Sequence, residues 1–272
     1  MSKKLTLLID ADILIFQVAA KVQTSIEWEE GEWTTHASMP EAIALFDQRI
    51  EEMVQRFNAT DVKLALTDSQ GNFRKKVLPT YKANRSGAPK PMLLVPMINH
   101  VRNNRDGVWV AGLEGDDVMG ILATSPKTGP NIIVSIDKDM GTIPCQLFAH
   151  GKNDGNVIEV TEEAADRMHM IQTLAGDSTD GYAGCPGVGI ITATRIVDDP
   201  VEMIPHETTK GEVWKKGDPC DVWTAVVSQY HKAGLTEEKA IQQARVARIC
   251  RYSDFNTKTK EVILWSPAQE IR

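Results

Sequence analysis

The chain of 272 residues contains no apolar run of about 18 residues, the length a helix needs to cross a bilayer, so no membrane span is expected. Its four cysteines (Cys145, Cys185, Cys220, Cys250) form no C-x-x-C pair, which argues against a zinc or disulfide framework and for a reducing cytoplasm. No internal repeat or low-complexity segment stands out. The opening MSKKLTLLIDADILIFQVAA imitates a secretion signal, but Asp10 and Asp12 interrupt its apolar part. It reads instead as a first strand entering a helix. One further absence is local. Between Ser69 and Arg105 there is no acid, although Arg74, Lys75, Lys76, Lys82, Arg85, Lys90, Arg102 and Arg105 all lie there. A net charge of −7 disfavours a nucleic-acid partner for the whole chain, yet it conceals this basic stretch.

What is present is ordinary for a globular protein: 42% hydrophobic and 25% charged residues, in a length suited to one large domain or a domain with an appendage. Strands are expected over 4–9, 62–67, 107–111, 131–136 and 144–149, alternating with helices over 38–57, 92–103 and 114–123. Residues 22–37 read as a small hairpin turning at Glu29–Gly31. Ser38-x-x-Glu41 with Pro40 is a capping-box signature. The alternation predicts an α/β fold with a mainly parallel central sheet and helices on both faces. After a helix from Thr161 to Ala175 the chain becomes glycine-rich, and a boundary is expected near 175. That divides it into 1–175 and 176–272. In the second part come a hairpin or loop over 206–217, two helices over 219–232 and 236–250, and a closing strand over 261–265.

Asp10, Asp68 and Asp137 each follow an expected strand, where ligand sites of open α/β sheets form. Glu114, Asp116, Asp117 and Asp139 cluster with them, and Asp177 and Asp180 follow in GDSTD. Any one of these acids is explained by capping or by solvent. Nine together repel one another unless a cation sits among them. Hard oxygen donors in this number favour Mg²⁺, with Mn²⁺ able to substitute, over zinc. Two such ions about 4 Å apart activate a water and stabilise the leaving oxygen of a phosphodiester.

Two further stretches fit phosphate chemistry. In FRKKVLPTYKANR, Arg74, Lys75, Lys76, Lys82 and Arg85 can neutralise phosphates, and Phe73 and Tyr81 offer rings for base stacking. In Gly184-Cys-Pro-Gly187-Val-Gly189, the turn can present helix N-terminal amides to a phosphate. A packing turn between helices explains those glycines equally well.

Taken in order, LLIDAD, TDSQGNFRKKVLPTYKANR, LEGDDVMG, SIDKDM and GDSTDGYAGCPGVG resemble the flap-endonuclease or 5′-nuclease superfamily over about residues 5–197. The wording, with the C-terminal EVILW, is most similar to the 5′→3′ exonucleases of short-tailed lytic phages. The resemblance implies a PIN/5′-nuclease-like fold with a helix-two-turn-helix subdomain and a basic arch or gateway near 69–105. It implies that Asp10, Asp68, Glu114 and Asp116 hold one Mg²⁺, and that Asp137, Asp139, Asp177 and Asp180 hold another, with Asp117 adjoining. Lys82 takes the place of the catalytic lysine, with Arg85 its phosphate-binding neighbour. Gly184, Gly187 and Gly189 fall in the helix-two-turn-helix, where a K⁺ can sit. Ile190 and Ile191 depart from the pattern, since many relatives carry a basic residue there.

The implied activity is Mg²⁺-dependent 5′→3′ exonuclease action on duplex DNA with a free 5′ end, and on the RNA of RNA–DNA hybrids, by a cytoplasmic monomer. A flap endonuclease is the nearest alternative. An aspartyl phosphatase, with Asp10 as nucleophile, or a non-catalytic DNA-binding protein is more distant.

Overall fold

Every residue of Thr6–Asp10 is buried, as a strand covered on both faces must be. This strand, β1, leads into α1 (Ala11–Val22), and then come β2 (Thr24–Glu29), β3 (Glu32–His36), α2 (Met39–Phe57) and β4 (Asp61–Ala65). The chain continues through α3 (Arg74–Val77), α4 (Leu94–Asn104), β5 (Gly107–Val108), α5 (Gly115–Ala123), β6 (Asn131–Val134), β7 (Cys145–Phe148) and β8 (Ile158–Val160). The last part holds α6 (Glu162–Ala175), α7 (Ile190–Asp198), β9 (Val201–Thr208), β10 (Gly211–Pro219), α8 (Val222–Lys232) and α9 (Glu237–Ala247). The computed structural model describes residues 4–85, 87, 89–209 and 211–267. No helix among them is long and apolar enough to cross a membrane.

The chain forms two compact units, and neither is continuous in sequence. The first comprises 1–72, 87–160 and 250–261; the second comprises 73–86, 161–249 and 262–272. The composition change near residue 175 therefore lies inside the second unit. The segment around Lys82 also belongs to that unit.

The first unit is built on a six-stranded sheet of order β5-β4-β1-β6-β7-β8. All neighbours run parallel except β7 and β8, which are antiparallel. Helices α1, α2 and α4 cover one face, where Leu14, Val18, Phe46, Met97 and Val101 pack on Leu7, Ile9, Leu64 and Val134. Side chains alternate along a strand, so Leu8 and Ile133 point to the other face. There α5 packs against β1, β4 and β6. From β1 the chain builds outward to β4 and β5, then returns to lay β6 on the other side. The end of β1 is thus the switch point of the sheet, where crossovers diverge and leave a crevice.

Local signals explain the helix starts. Ser38 Oγ accepts the Glu41 amide at 3.4 Å at the head of α2, and Thr161 Oγ1 accepts the Ala164 amide at 3.1 Å at the head of α6. In the second unit α6, α7, α8 and α9 share a core of Met170, Leu174, Val197, Val226, Tyr230 and Ala244. The buried Tyr230 hydroxyl donates to Thr173 O at 2.6 Å. Of the two forms expected over 206–217, hairpin or loop, the structure shows the hairpin, formed by β9 and β10. The expected closing strand shrinks to Glu261–Val262.

Candidate active site

Asp10 ends β1 and starts α1. Its Oδ1 accepts the Ile13 amide at 3.1 Å as the helix N-cap. Its Oδ2 accepts the Ser135 hydroxyl at 2.8 Å, at the end of the neighbouring β6. Burial, with a smaller push from the charges of Asp12 and Asp137, raises the Asp10 carboxyl to about 6 against the pull of the Ile13 and Ser135 hydrogen bonds. The Ser135 hydroxyl also accepts the Asp137 amide at 3.1 Å, so one serine orients both acids.

Asp12 lies one residue into α1 and crosses to β4, where its Oδ2 accepts the Thr67 amide at 2.8 Å. Thr67 Oγ1 in turn accepts the Gly115 amide at 2.9 Å, fixing the start of α5 against the same strand end. A Cβ on Gly115 would stand 3.2 Å from Asp12 Oδ2, so the closeness of α5 to Asp12 depends on that glycine. Asp12 joins this network although the sequence marks it only as an acid inside the first apolar run. Its i, i+2 relation to Asp10 was the available signal.

Asp68 follows β4. Its Oδ2 accepts the Gly112 amide at 2.8 Å and its Oδ1 the Gln70 amide at 3.0 Å. These amides, Gly112 first, hold its carboxyl below the usual carboxylate range, so Asp68 stays ionised. Glu114 is the buried N-cap of α5, and its amide donates to Asp117 Oδ2 at 3.1 Å in a capping box. Asp117 is fully buried, and its Oδ1 accepts the Cys250 amide at 3.0 Å. Both of its oxygens thus face backbone amides. Asp117 buttresses Glu114 from inside the fold.

Past β6, Asp137 Oδ1 accepts the Asp139 amide at 2.9 Å, and both side chains are half-buried. Asp10, Asp12, Asp68, Glu114, Asp116, Asp137 and Asp139 therefore all belong to one edge of the first unit's sheet. Among the described residues, no three His, Cys, Asp or Glu side chains converge tightly enough to form a ready-made cation cage. Most of these carboxylates instead turn toward backbone amides.

Asp177 and Asp180 lie in the second unit. Asp177 Oδ1 accepts the Thr179 amide at 2.7 Å and the Asp180 amide at 3.3 Å, folding 177–180 into a tight turn. Asp180 collects the basic segment. Its Oδ2 accepts the Tyr81 hydroxyl at 2.8 Å and lies 3.5 Å from Lys82 Nζ, while its Oδ1 is 2.5 Å from an Arg85 guanidinium nitrogen. The backbone joins in, for the Lys82 amide donates to Asp180 O at 2.8 Å and Arg85 Nε to Thr179 O at 3.1 Å. Lys82 adopts a positive φ of 55° to make this fit.

Two expectations for the basic stretch are corrected. Arg74 is 2% exposed and donates to Val246 O at 2.9 Å and Arg248 O at 2.6 Å, so it ties α3 to the end of α9 and cannot reach a phosphate. Tyr81 is also 2% exposed, packed with Tyr182 and Val246, so its ring cannot stack on a base. Burying a guanidinium requires saturating its donors, and carbonyls at a helix end supply the acceptors. Lys75, Lys76 and Arg85 remain exposed, and Lys82 is partly buried.

The glycine turn splits similarly. The Gly184 amide donates to Gln243 Oε1 at 2.8 Å inside the protein, so it is not offered to a phosphate. A Cβ at Gly184 would meet Gly176 N at 2.3 Å, which makes this glycine a packing residue. Gly187 and Gly189 face open space, and Gly189 is the N-cap of α7 without a side-chain cap. The first amides of α7 thus lie next to the exposed Ile190 and Ile191.

The chain is similar to known proteins over most of its length. The family described as 5′-3′ exonuclease, N-terminal resolvase-like domain, matches residues 5–169. The exodeoxyribonuclease of Enterobacteria phage T3 is 35% identical over 96% of this chain and 92% of its own length. The exonuclease of Escherichia phage T7 is also 35% identical, over 96% and 93%. Among solved structures, the phage T5 5′-exonuclease with bound divalent zinc ions superposes with a TM-score of 0.56 at 14% identity, covering 90% of this chain and 89% of that one. The T5 flap endonuclease in a pseudo-enzyme–product complex with DNA and metal ions gives 0.58 at 12% identity over the same shares. At those identities the T5 proteins speak for the fold. The phage relatives and the family match carry the assignment: this chain belongs to the 5′–3′ exonuclease family and is a nuclease of that class.

Proposed function

We propose that this enzyme is a divalent-metal-dependent 5′→3′ exonuclease that hydrolyses phosphodiesters from the 5′ end of duplex DNA and also removes RNA from RNA–DNA hybrids. The carrying observation is Asp10, a buried carboxyl at the switch point that desolvation, aided by two neighbouring carboxylates, pushes up to about 6. Placing such a group among like charges is costly unless a cation compensates. The donors nearby are all hard oxygens, which fit Mg²⁺ or Mn²⁺. Asp10, Asp68, Glu114 and Asp116 would hold one ion, and Asp137 and Asp139 would begin the set for a second. The assignment of Asp177 and Asp180 as further ligands rests on motif order. When bound, the ions supply charge that activates water and stabilises the leaving oxygen.

The chain's own residues orient these acids. Ser135 fixes Asp10 through its hydroxyl, and Asp117 holds Glu114 at the start of α5. Ligation requires the acids to rotate toward a common point, since several of their oxygens now accept amides. Lys75, Lys76, Lys82 and Arg85 are the phosphate-binding cations of this reading. The α7 N-terminus is its second phosphate contact, through backbone amides and with a K⁺ near Gly187 and Gly189. The T5 complex with DNA and metal ions supports the substrate class.

The deciding experiment is digestion of 5′-labelled blunt, flapped and RNA–DNA hybrid duplexes with Mg²⁺. Labelled mononucleotides from blunt ends support the exonuclease. Products of flap length alone favour a flap endonuclease, and intact substrate on all three sinks the reading.

A further inference from the structure

A cavity of about 370 Å³ opens in the first unit beside the ends of β1 and β6. Apart from Asp10 and Ser135 in its lining, the function described so far does not use it. Its walls are apolar, from Ile13 and Leu14 of α1, Met53 of α2 and Phe148 of β7. Arg49, Arg56 and His150 also line it, and so does Asp10. The volume lies within the range of about 300–1,000 Å³ typical of small-ligand sites, which combine apolar walls with a few fixed polar groups.

The arginines differ in their commitments. Arg56 is held, because its guanidinium lies 4.8 Å over the Phe148 ring and donates to Gly155 O. It presents a flat cation backed by an aromatic ring. Among the described residues, Arg49 takes part in no hydrogen bond or ion pair. Glu52, also in the lining, is engaged by Gln48 Nε2 at 2.9 Å and does not neutralise it. A partly buried arginine beside an apolar cavity is a ready partner for an anion, and a phosphate matches its fork of donors.

We propose that this cavity binds a nucleoside 5′-monophosphate. The 5′-phosphate pairs with Arg49, the base lies against Met53 and the Arg56 plane, and the 3′-oxygen points toward Asp10. The charges give the orientation, since Asp10 repels a phosphate and the arginines attract one. This ligand is the unit that a 5′→3′ exonuclease detaches, so its biological meaning rests on the function proposed above. The binding itself does not.

The test is calorimetric titration of the full chain with deoxyadenosine 5′-monophosphate in EDTA, beside inorganic phosphate and deoxyadenosine alone. The monophosphate is expected to bind, and each part alone to bind at least about tenfold more weakly. Arg49→Glu should weaken the monophosphate by about tenfold or more, the loss expected when one charge-assisted contact goes, with the melting temperature unchanged and Arg49→Lys retaining most affinity. No binding at millimolar nucleotide, equal binding of phosphate alone, or an affinity indifferent to Arg49→Glu overturns the proposal. A chain that binds the monophosphate yet leaves DNA intact supports the cavity and sinks the exonuclease reading; cleavage without binding does the reverse.

Discussion

The hydroxyl of Tyr81 donates to Asp180 Oδ2 at 2.8 Å, the same oxygen that Lys82 Nζ approaches to 3.5 Å. The phenol is 2% exposed and serves as an internal strut, not as a platform for bases. Tyr81→Phe should therefore cost about 1 kcal/mol of stability, and Asp180→Asn about 1–3 kcal/mol, because it also unpairs two cations. As the two residues share one contact, the double variant should lose less than the sum. Urea melts of the four proteins measure this, and strict additivity would show that the strut carries no energy.

Asp10 gives a pH dependence with a definite sign. Its folded pKa of about 6 lies above its ordinary 3.8, so folding takes up a proton between those values. Its contribution to stability is fully present below about 3.8 and is lost as pH rises through about 6, leaving a penalty near 3 kcal/mol at neutral pH. In EDTA at pH 7.5, Asp10→Asn should thus be more stable than the parent while being inactive. The gap should close as pH falls to 4. A variant no more stable than the parent at pH 7.5 contradicts the strain.

Asp137→Asn should lower kcat by about a hundredfold or more, as when one electrostatic contributor to a transition state is removed. Duplex binding should stay within a few-fold, because the residue is proposed to hold metal and not DNA. Filter binding and single-turnover cleavage separate the two. Weakened binding with cleavage retained rejects the ligand role.

Mg²⁺ at about 100 times its dissociation constant should stabilise the fold by about 2.7 kcal/mol. For a chain of this size that raises Tm by roughly 5–10 °C. An unchanged Tm in millimolar Mg²⁺ counts against the acids of the sheet edge as a cation site.

Gly184→Ala should destabilise the protein by about 3 kcal/mol or more, combining a left-handed φ with an overpacked contact. Its φ is +65°, and the added Cβ would meet Gly176 N and Leu174 O within 2.5 Å. Gly187→Ala should cost less, since nothing lies within 4 Å of its Cβ position. A melt that ranks them in the opposite order refutes the packing role of Gly184.

The central strands were legible because each is an apolar run that stops at an acid, as in Thr6–Asp10 and Asn131–Val134 followed by Ser135 and Asp137. The switch-point acids were legible for the same reason. Strand β8 was not, because Ile158 and Glu159 are exposed on an antiparallel edge and leave no apolar run. Arg74 and Tyr81 were misread because residue type reveals charge and aromaticity but not burial. In R-K-K-V one side of a single helical turn must face inward, and the first arginine does. Arg49 and Arg56 stand seven positions apart on one face of α2, but only the fold shows that this face borders a cavity beside Asp10. The division of the chain was hidden for a related reason. A composition change marks a turn, whereas the units are defined by which apolar faces meet.

The amide that meets Asp117 Oδ1 comes from Cys250, and Tyr252 and Arg251 likewise bond Thr124 and Thr142 of the first unit. During synthesis, then, the helix that carries Glu114 and Asp116 must wait for more than a hundred further residues before its buttress arrives. A nascent nuclease cannot finish its acidic edge until the second unit has been almost wholly translated. The order of the gene thus places the buttress of the acidic edge after nearly all of the second unit.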